Sequence, residues 1–216
     1  MTTFHPDLVA GLDEPVRRYF AHAIRVGAPL PARLRLSMAG HIRLGLWVPF
    51  TAEQETARDA FTWTARVGGG ALSVTDRYAG GRGSVEGRLA GRLRLFGAAD
   101  ADTTRSAAGR AALEAVTLAP PCVFPQAGVE WRAEGSEHIV ATLELAPERP
   151  EVHVRLRADG SVRGVVARRW RKGGYADCGA AVHAERAFGD FTLPSRLTVA
   201  WDDAPFFRAA IRTVDT

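Results

Sequence analysis

The chain has 216 residues, 46% hydrophobic and 24% charged, with a formal net charge of +4. That size and apolar share suffice to bury one core over residues 1–216 without disulfides or metal, and the two cysteines, Cys122 and Cys178, sit in no redox or metal spacing. No apolar run of about 18 residues is present for a membrane span, and the start of the sequence lacks a basic segment leading into an apolar one, so the expected compartment is the cytoplasm.

Leu8, Leu12, Val16, Tyr19, Phe20 and Ala23 recur at three- and four-residue steps, which predicts an amphipathic helix over 8–24. Gly27, Pro29 and Pro31 end it. Leu34, Leu36, Met38, Gly40, Ile42, Leu44 and Leu46 then alternate with basic and polar residues, a long strand expected to bend at Gly40. Phe61, Trp63, Ala65 and Val67 form another. The alternation Leu72, Val74, Asp76, Tyr78 places an acid on an otherwise apolar face. Val85 to Leu95 alternates again. Beyond a central helix the pattern resumes at Val129 and Trp131. It passes through the Asp159-Gly160 hairpin signal and ends with Phe191–Trp201 and Phe206–Val214.

About ten strands joined by short turns imply an antiparallel meander, and a sheet that wide curls. The expected fold class is α+β: a long curled antiparallel sheet, a half-open barrel, with the N-terminal helix and the central helix on its concave face.

The central helix is predicted over 102–118, with Asp102, Thr103 or Thr104 able to cap it and Pro120-Pro121 ending it. Ala108, Ala111, Ala112, Ala115 and Val116 make one face of small side chains. Ser106, Arg110, Glu114 and Thr117 make another, on which Arg110 and Glu114 can pair. Alanine fills little volume, so this helix is expected to leave apolar space under the sheet.

The chain resembles a bacterial family of unknown function. The likeness lies in Pro15-Val-Arg-Arg-Tyr-Phe20, Pro49-Phe50-Thr-Ala-Glu53, Phe61-Thr-Trp-Thr-Ala65, Asp76-Arg-Tyr78, Arg105-Ser-Ala-Ala-Gly-Arg110 with Glu114, and Glu185-Arg-Ala-Phe-Gly189 through Pro194-Ser195. The order of elements is also similar to the half-barrel of lipoprotein carriers of the LolA type. That second resemblance implies a cavity for an acyl chain or another apolar group. Those carriers are exported and this sequence shows no export signal, so lipoprotein transport itself is not expected.

No nucleophile motif, phosphate loop or metal-binding histidine spacing occurs, so neither catalytic residue, metal nor cofactor is assigned. Arg155, Arg157, Arg163, Arg168, Arg169, Arg171 and Lys172 crowd the segment 152–172, but without the interleaved aromatics that stack bases, so nucleic acid is not the expected partner. Asp76, Tyr78, Arg105, Arg110, Glu114 and Glu185 occupy positions that the pattern places inside, where an ion-pair network fixing the helix is the simplest account. With Trp63, Trp131 and Trp201 they are the candidate ligand-binding residues. The expected function is non-catalytic binding of a small apolar or amphiphilic ligand between sheet and helix. The alternatives are an enzyme using Arg105, Arg110 and Glu114 on an anionic substrate, and a purely structural or interaction domain.

Overall fold

Two-residue alternation governs most of the chain, and the structure, a computed structural model that describes residues 2–216, turns it into one 13-stranded sheet. The strands are β1 (Arg33–Leu44), β2 (Leu46–Ala57), β3 (Phe61–Val67), β4 (Leu72–Ala79), β5 (Arg82–Leu89), β6 (Leu93–Ala98), β7 (Glu130–Ala133), β8 (His138–Thr142), β9 (Glu151–Leu156), β10 (Val162–Arg171), β11 (Gly174–Phe188), β12 (Phe191–Trp201) and β13 (Ala204–Asp215). Their order is β6-β5-β4-β3-β2-β1-β13-β12-β11-β10-β9-β8-β7. Two meanders thus meet where β1 pairs antiparallel with β13. The curled α+β half-barrel expected from the sequence is the fold found.

The predicted strand Val85–Leu95 is a hairpin, β5 and β6, that turns between Leu89 and Leu93, and the other strand beyond the expected count is β2. Its buried positions are Phe50, Ala52, Gln54 and Thr56, and two polar residues there hide the alternation. Gly40 serves a close approach: a Cβ on it would sit 1.8 Å from the Arg208 carbonyl oxygen. The register shift of the pair lies earlier, between Ser37 and Met38.

The first predicted helix is divided. A 3-10 turn spans Pro6–Val9, and α1 begins at Glu14 and runs to Ala23. Pro15 lacks an N–H and fits the first turn of a helix but not its interior, so the helix cannot run through from residue 8. Asp13 precedes α1 without capping it; its carboxylate accepts the Ala133 N–H at 2.8 Å. The second helix, α2, spans Ala101–Leu118. Its cap is Asp100, which accepts the Thr103 N–H at 2.7 Å, not Asp102, Thr103 or Thr104.

Helix α2 crosses the concave face from one arm of the sheet to the other. On β5, a Cβ at Gly83 would lie 2.6 Å from Ala107 Cβ; against β10, one on Gly109 would lie 2.7 Å from Arg169 Cγ. Glycine at both crossings lets the helix sit close. Helix α1 rests on α2 and on the far arm. The Tyr19 hydroxyl donates to the Val116 carbonyl at 2.6 Å, and Phe20 stacks on Phe124 at 4.6 Å between ring centres, with Trp131 edge-on at 5.2 Å.

Candidate functional site

Between α2 and the concave face lies a cavity of about 300 Å³, at the small end of ligand-binding sites. Met38 and Ile42 of β1, Trp63 of β3, Val74 of β4, Leu197, Val199 and Trp201 of β12, and Phe206, Phe207 and Ile211 of β13 form its apolar wall. Helix α2 contributes Arg110, Leu113, Glu114, Thr117 and Leu118. The alanine face does not line the cavity: Ala108, Ala111, Ala112 and Ala115 are fully buried elsewhere. The space therefore arises where the polar strip of α2 stands off the sheet, not where the alanines pack.

That strip is organised around Arg110. Its guanidinium pairs with Asp76, and its Nε donates to Glu114 at 2.7 Å. Its cation also lies 4.6 Å from the Phe61 ring centre and 5.2 Å from that of Trp63. The second Glu114 oxygen accepts from Gln54 Nε2 at 2.9 Å, and the same amide reaches Thr56 at 2.6 Å. Burial works against the Arg110 charge, but Glu114 and Asp76 outweigh it and hold the guanidinium charged above its usual value. Burial pushes the Glu114 carboxyl upward against the pull of Arg110. Each Glu114 oxygen accepts one hydrogen bond, from Arg110 or from Gln54, so the carboxylate is held in place by the protein's own groups.

A second arginine closes the other side. Arg169 of β10 is 8% exposed and lines the cavity. It donates to Cys178 Sγ at 3.2 Å and to the Ser106 carbonyl at 3.1 Å, and its cation faces the Trp201 ring at 4.8 Å. Among the described residues it forms no ion pair with a carboxylate, and its Nε, like the indole N–H of Trp63, finds no acceptor within the protein. A guanidinium has more N–H groups than its two bonds use.

Five of the residues singled out from sequence therefore meet at this cavity: Trp63, Asp76, Arg110, Glu114 and Trp201. The other four lie apart from it. Arg105 pairs with Glu148, donates to the Tyr175 hydroxyl at 2.8 Å and stacks over Trp170 at 3.5 Å, so it does not join Arg110 and Glu114 in one cluster. Tyr78 donates to the Ala146 carbonyl at 2.7 Å. Trp131 donates to the Val123 carbonyl at 2.9 Å inside the α1 packing. Glu185 accepts from Val162 N–H at 2.9 Å and meets His22 Nε2 at 2.8 Å, fastening α1 to the sheet.

The His22 contact has a consequence for stability. The hydrogen bond that His22 donates to the Glu185 carboxylate raises the His22 pKa above its ordinary 6.5, against partial burial. A histidine whose folded pKa is raised stabilises fully below the unfolded value and loses that contribution as pH rises through the folded one. Urea denaturation should show stability falling as pH rises from about 6.5, and His22→Gln should remove that slope. An unchanged slope in the variant would contradict the assignment.

Gln54, Arg169 and Cys178 had no sequence signal as site residues. Gln54 sits in the strand whose alternation is hidden, and Arg169 is one basic residue in a run of them. The fold also gathers Glu134, His138 and His153, whose donor atoms lie within 4.8 Å of one another. A 3.2 Å hydrogen bond between the two imidazoles accounts for their approach. Burial pushes the Cys122 thiol up to about 12, away from the thiolate form, and its Sγ contacts the Pro31 carbonyl oxygen.

Solved structures share this architecture. A DUF1329 family protein from Desulfovibrio piger aligns with a TM-score of 0.51 at 8% identity, over 97% of this chain and 90% of its own. A LolA superfamily protein from Nitrosomonas europaea aligns with a TM-score of 0.52 at 7% identity, over 93% and 91%. At such identities the likeness shows the fold, a LolA-like half-barrel, and nothing finer. No curated protein matches the sequence. DUF6544, a family of unknown function, matches residues 2–209, and the chain belongs to that family.

Proposed function

We propose that the protein is a non-catalytic binding module that holds a small amphiphilic molecule in the cavity between α2 and the sheet. The observation that carries this is the pairing of a largely apolar wall with Arg169, buried there with no carboxylate in direct contact and only the through-space attraction of Glu114. A buried charge is costly unless it is paired, and a ligand carboxylate reaching the guanidinium would pair it while the ligand's tail lies along Met38, Val199 and Ile211. The engagement of both Glu114 oxygens and of Arg110 favours binding over the enzymatic alternative.

Titration with a dansyl-labelled fatty acid tests the proposal. The wild-type protein should bind it saturably. Arg169→Gln should weaken that binding about tenfold, the worth of a charge-assisted hydrogen bond, and leave binding of the corresponding methyl ester unchanged. No saturable binding by the wild-type protein would refute the reading, and an equal loss for acid and ester would refute the role given to Arg169.

A further inference from the structure

The apolar lining does not stop at the cavity. Phe50, Val67, Leu72, Leu89 and Leu93 stand side by side in register across β2 to β6. They lie on the same face as Trp63 and Asp76, by the two-residue period of each strand. Helix α2 crosses β5 at Gly83, the opposite end of that strand from Leu89. Phe50 and Val67 stay buried, Phe50 against the Phe207 ring, and the concave face is uncovered beyond them, where Leu89 is 45% exposed. The β1–β2 hairpin carries the lip further: Leu46 is 80% exposed and Leu44 54%, and on β6 Leu93 is 63% exposed. Phe96, half exposed, lies over Gly87. Large apolar side chains grouped this way on a surface mark an interaction site.

The charges at this lip are mostly positive, the one acid beside it being Glu86, which pairs with Arg88. Segments 42–50, 65–74 and 87–96 contain Arg43, Arg66, Arg88, Arg92 and Arg94 and no acidic residue, and all five arginines are exposed. Arg43, Arg66, Arg88 and Arg94 fall on the alternate positions of their strands, and Arg92 sits in the β5–β6 turn. The lip is thus apolar inside and cationic outside. An edge of that kind seats leucine and phenylalanine among acyl chains while its arginines meet lipid phosphates. We propose that this lip docks on an anionic lipid bilayer, with the cavity opening onto the membrane surface. Charge complementarity selects this occupant, and the surface stands on its own whether or not the cavity binds a ligand.

Co-sedimentation of the full chain with phosphatidylcholine vesicles, with and without phosphatidylglycerol, tests it. Binding should require phosphatidylglycerol and weaken as salt is raised. Arg92→Gln and Arg94→Gln should each lower partitioning about fivefold. Leu46→Asp and Leu93→Asp should each lower it at least about tenfold. Both leucines are mostly exposed, so these variants keep the fold, which circular dichroism checks. Failure to bind phosphatidylglycerol vesicles, equal binding to both vesicles, or binding unchanged by Leu46→Asp and Leu93→Asp would overturn the proposal. A dimer in solution that Leu46→Asp dissolves would assign the lip to a second copy of the chain and overturn it as well. None of these outcomes bears on the fatty-acid titration, so the two proposals fail separately.

Discussion

Replacing Arg110 with alanine should lower the unfolding free energy by about 3 kcal/mol, at the lower end of the range for breaking a buried charge network. The side chains of Arg110, Asp76 and Glu114 keep 19%, 23% and 18% of their exposure, which moderates the penalty. The cause is what remains after the substitution. Asp76 loses its cation, Glu114 keeps only the Gln54 amide, and the rings of Phe61 and Trp63 lose the charge above them. The Glu114 carboxyl, already raised by burial, would rise further. A carboxyl raised in the folded state favours folding below its ordinary 4.5 and opposes it as pH climbs through the folded value. The variant should therefore be closest to wild type in acid and furthest from it near neutrality. Adding Asp76→Asn and Glu114→Gln to Arg110→Met should recover much of the loss, because it removes the stranded charges together. Urea denaturation at several pH values reads all of this. A loss that is independent of pH and not recovered by the neutral triple variant would mean that packing, not charge, holds this site.

Val199→Trp should abolish fatty-acid binding, by about a hundredfold or more, while changing stability by less than about 1 kcal/mol. Val199 lies on the cavity wall and is only partly buried. An indole there takes up space the ligand needs without displacing packed neighbours. The contrast is Ala112→Phe. Ala112 is 0% exposed and off the cavity, so a ring there must overpack, at a cost of about 1–3 kcal/mol or more. If Val199→Trp destabilises as much as Ala112→Phe, the cavity does not accept volume and the binding reading loses its space.

The sheet and the central helix were legible because their signals are local. Alternation such as Leu34–Leu44 needs no tertiary information, and Pro120-Pro121 marks a helix end, but the pattern runs unbroken through the turns at Gly45 and at Ala90–Arg92, and the helix cap, Asp100, lies before the stretch that begins at Asp102. The strand β2 was not legible because its interior face carries Gln54 and Thr56, and those two residues support Glu114. The same polar choice that built the site concealed the strand. Arg110, Glu114 and Asp76 could be grouped from a helix face and one misplaced acid. Arg105 could not be separated from them, since its partner Glu148 lies on the loop before β9 and its aromatic seat on β10. Arg169 was hidden in a basic run whose other members, Arg155, Arg157, Arg163, Arg168, Arg171 and Lys172, are exposed. Alternation along β10 turns it inward, and only the crossing at Gly109 places it beside the cavity.

The cavity reading is tested most directly by mass spectrometry of the protein purified natively, without detergent, and then extracted with organic solvent. The account predicts a small anionic amphiphile in the extract, retained by the wild-type protein and lost from Val199→Trp, with Arg169→Gln depleted of acids. An extract identical to that of Val199→Trp, from protein whose wild-type form also fails to take up the dansyl-labelled acid, would contradict it.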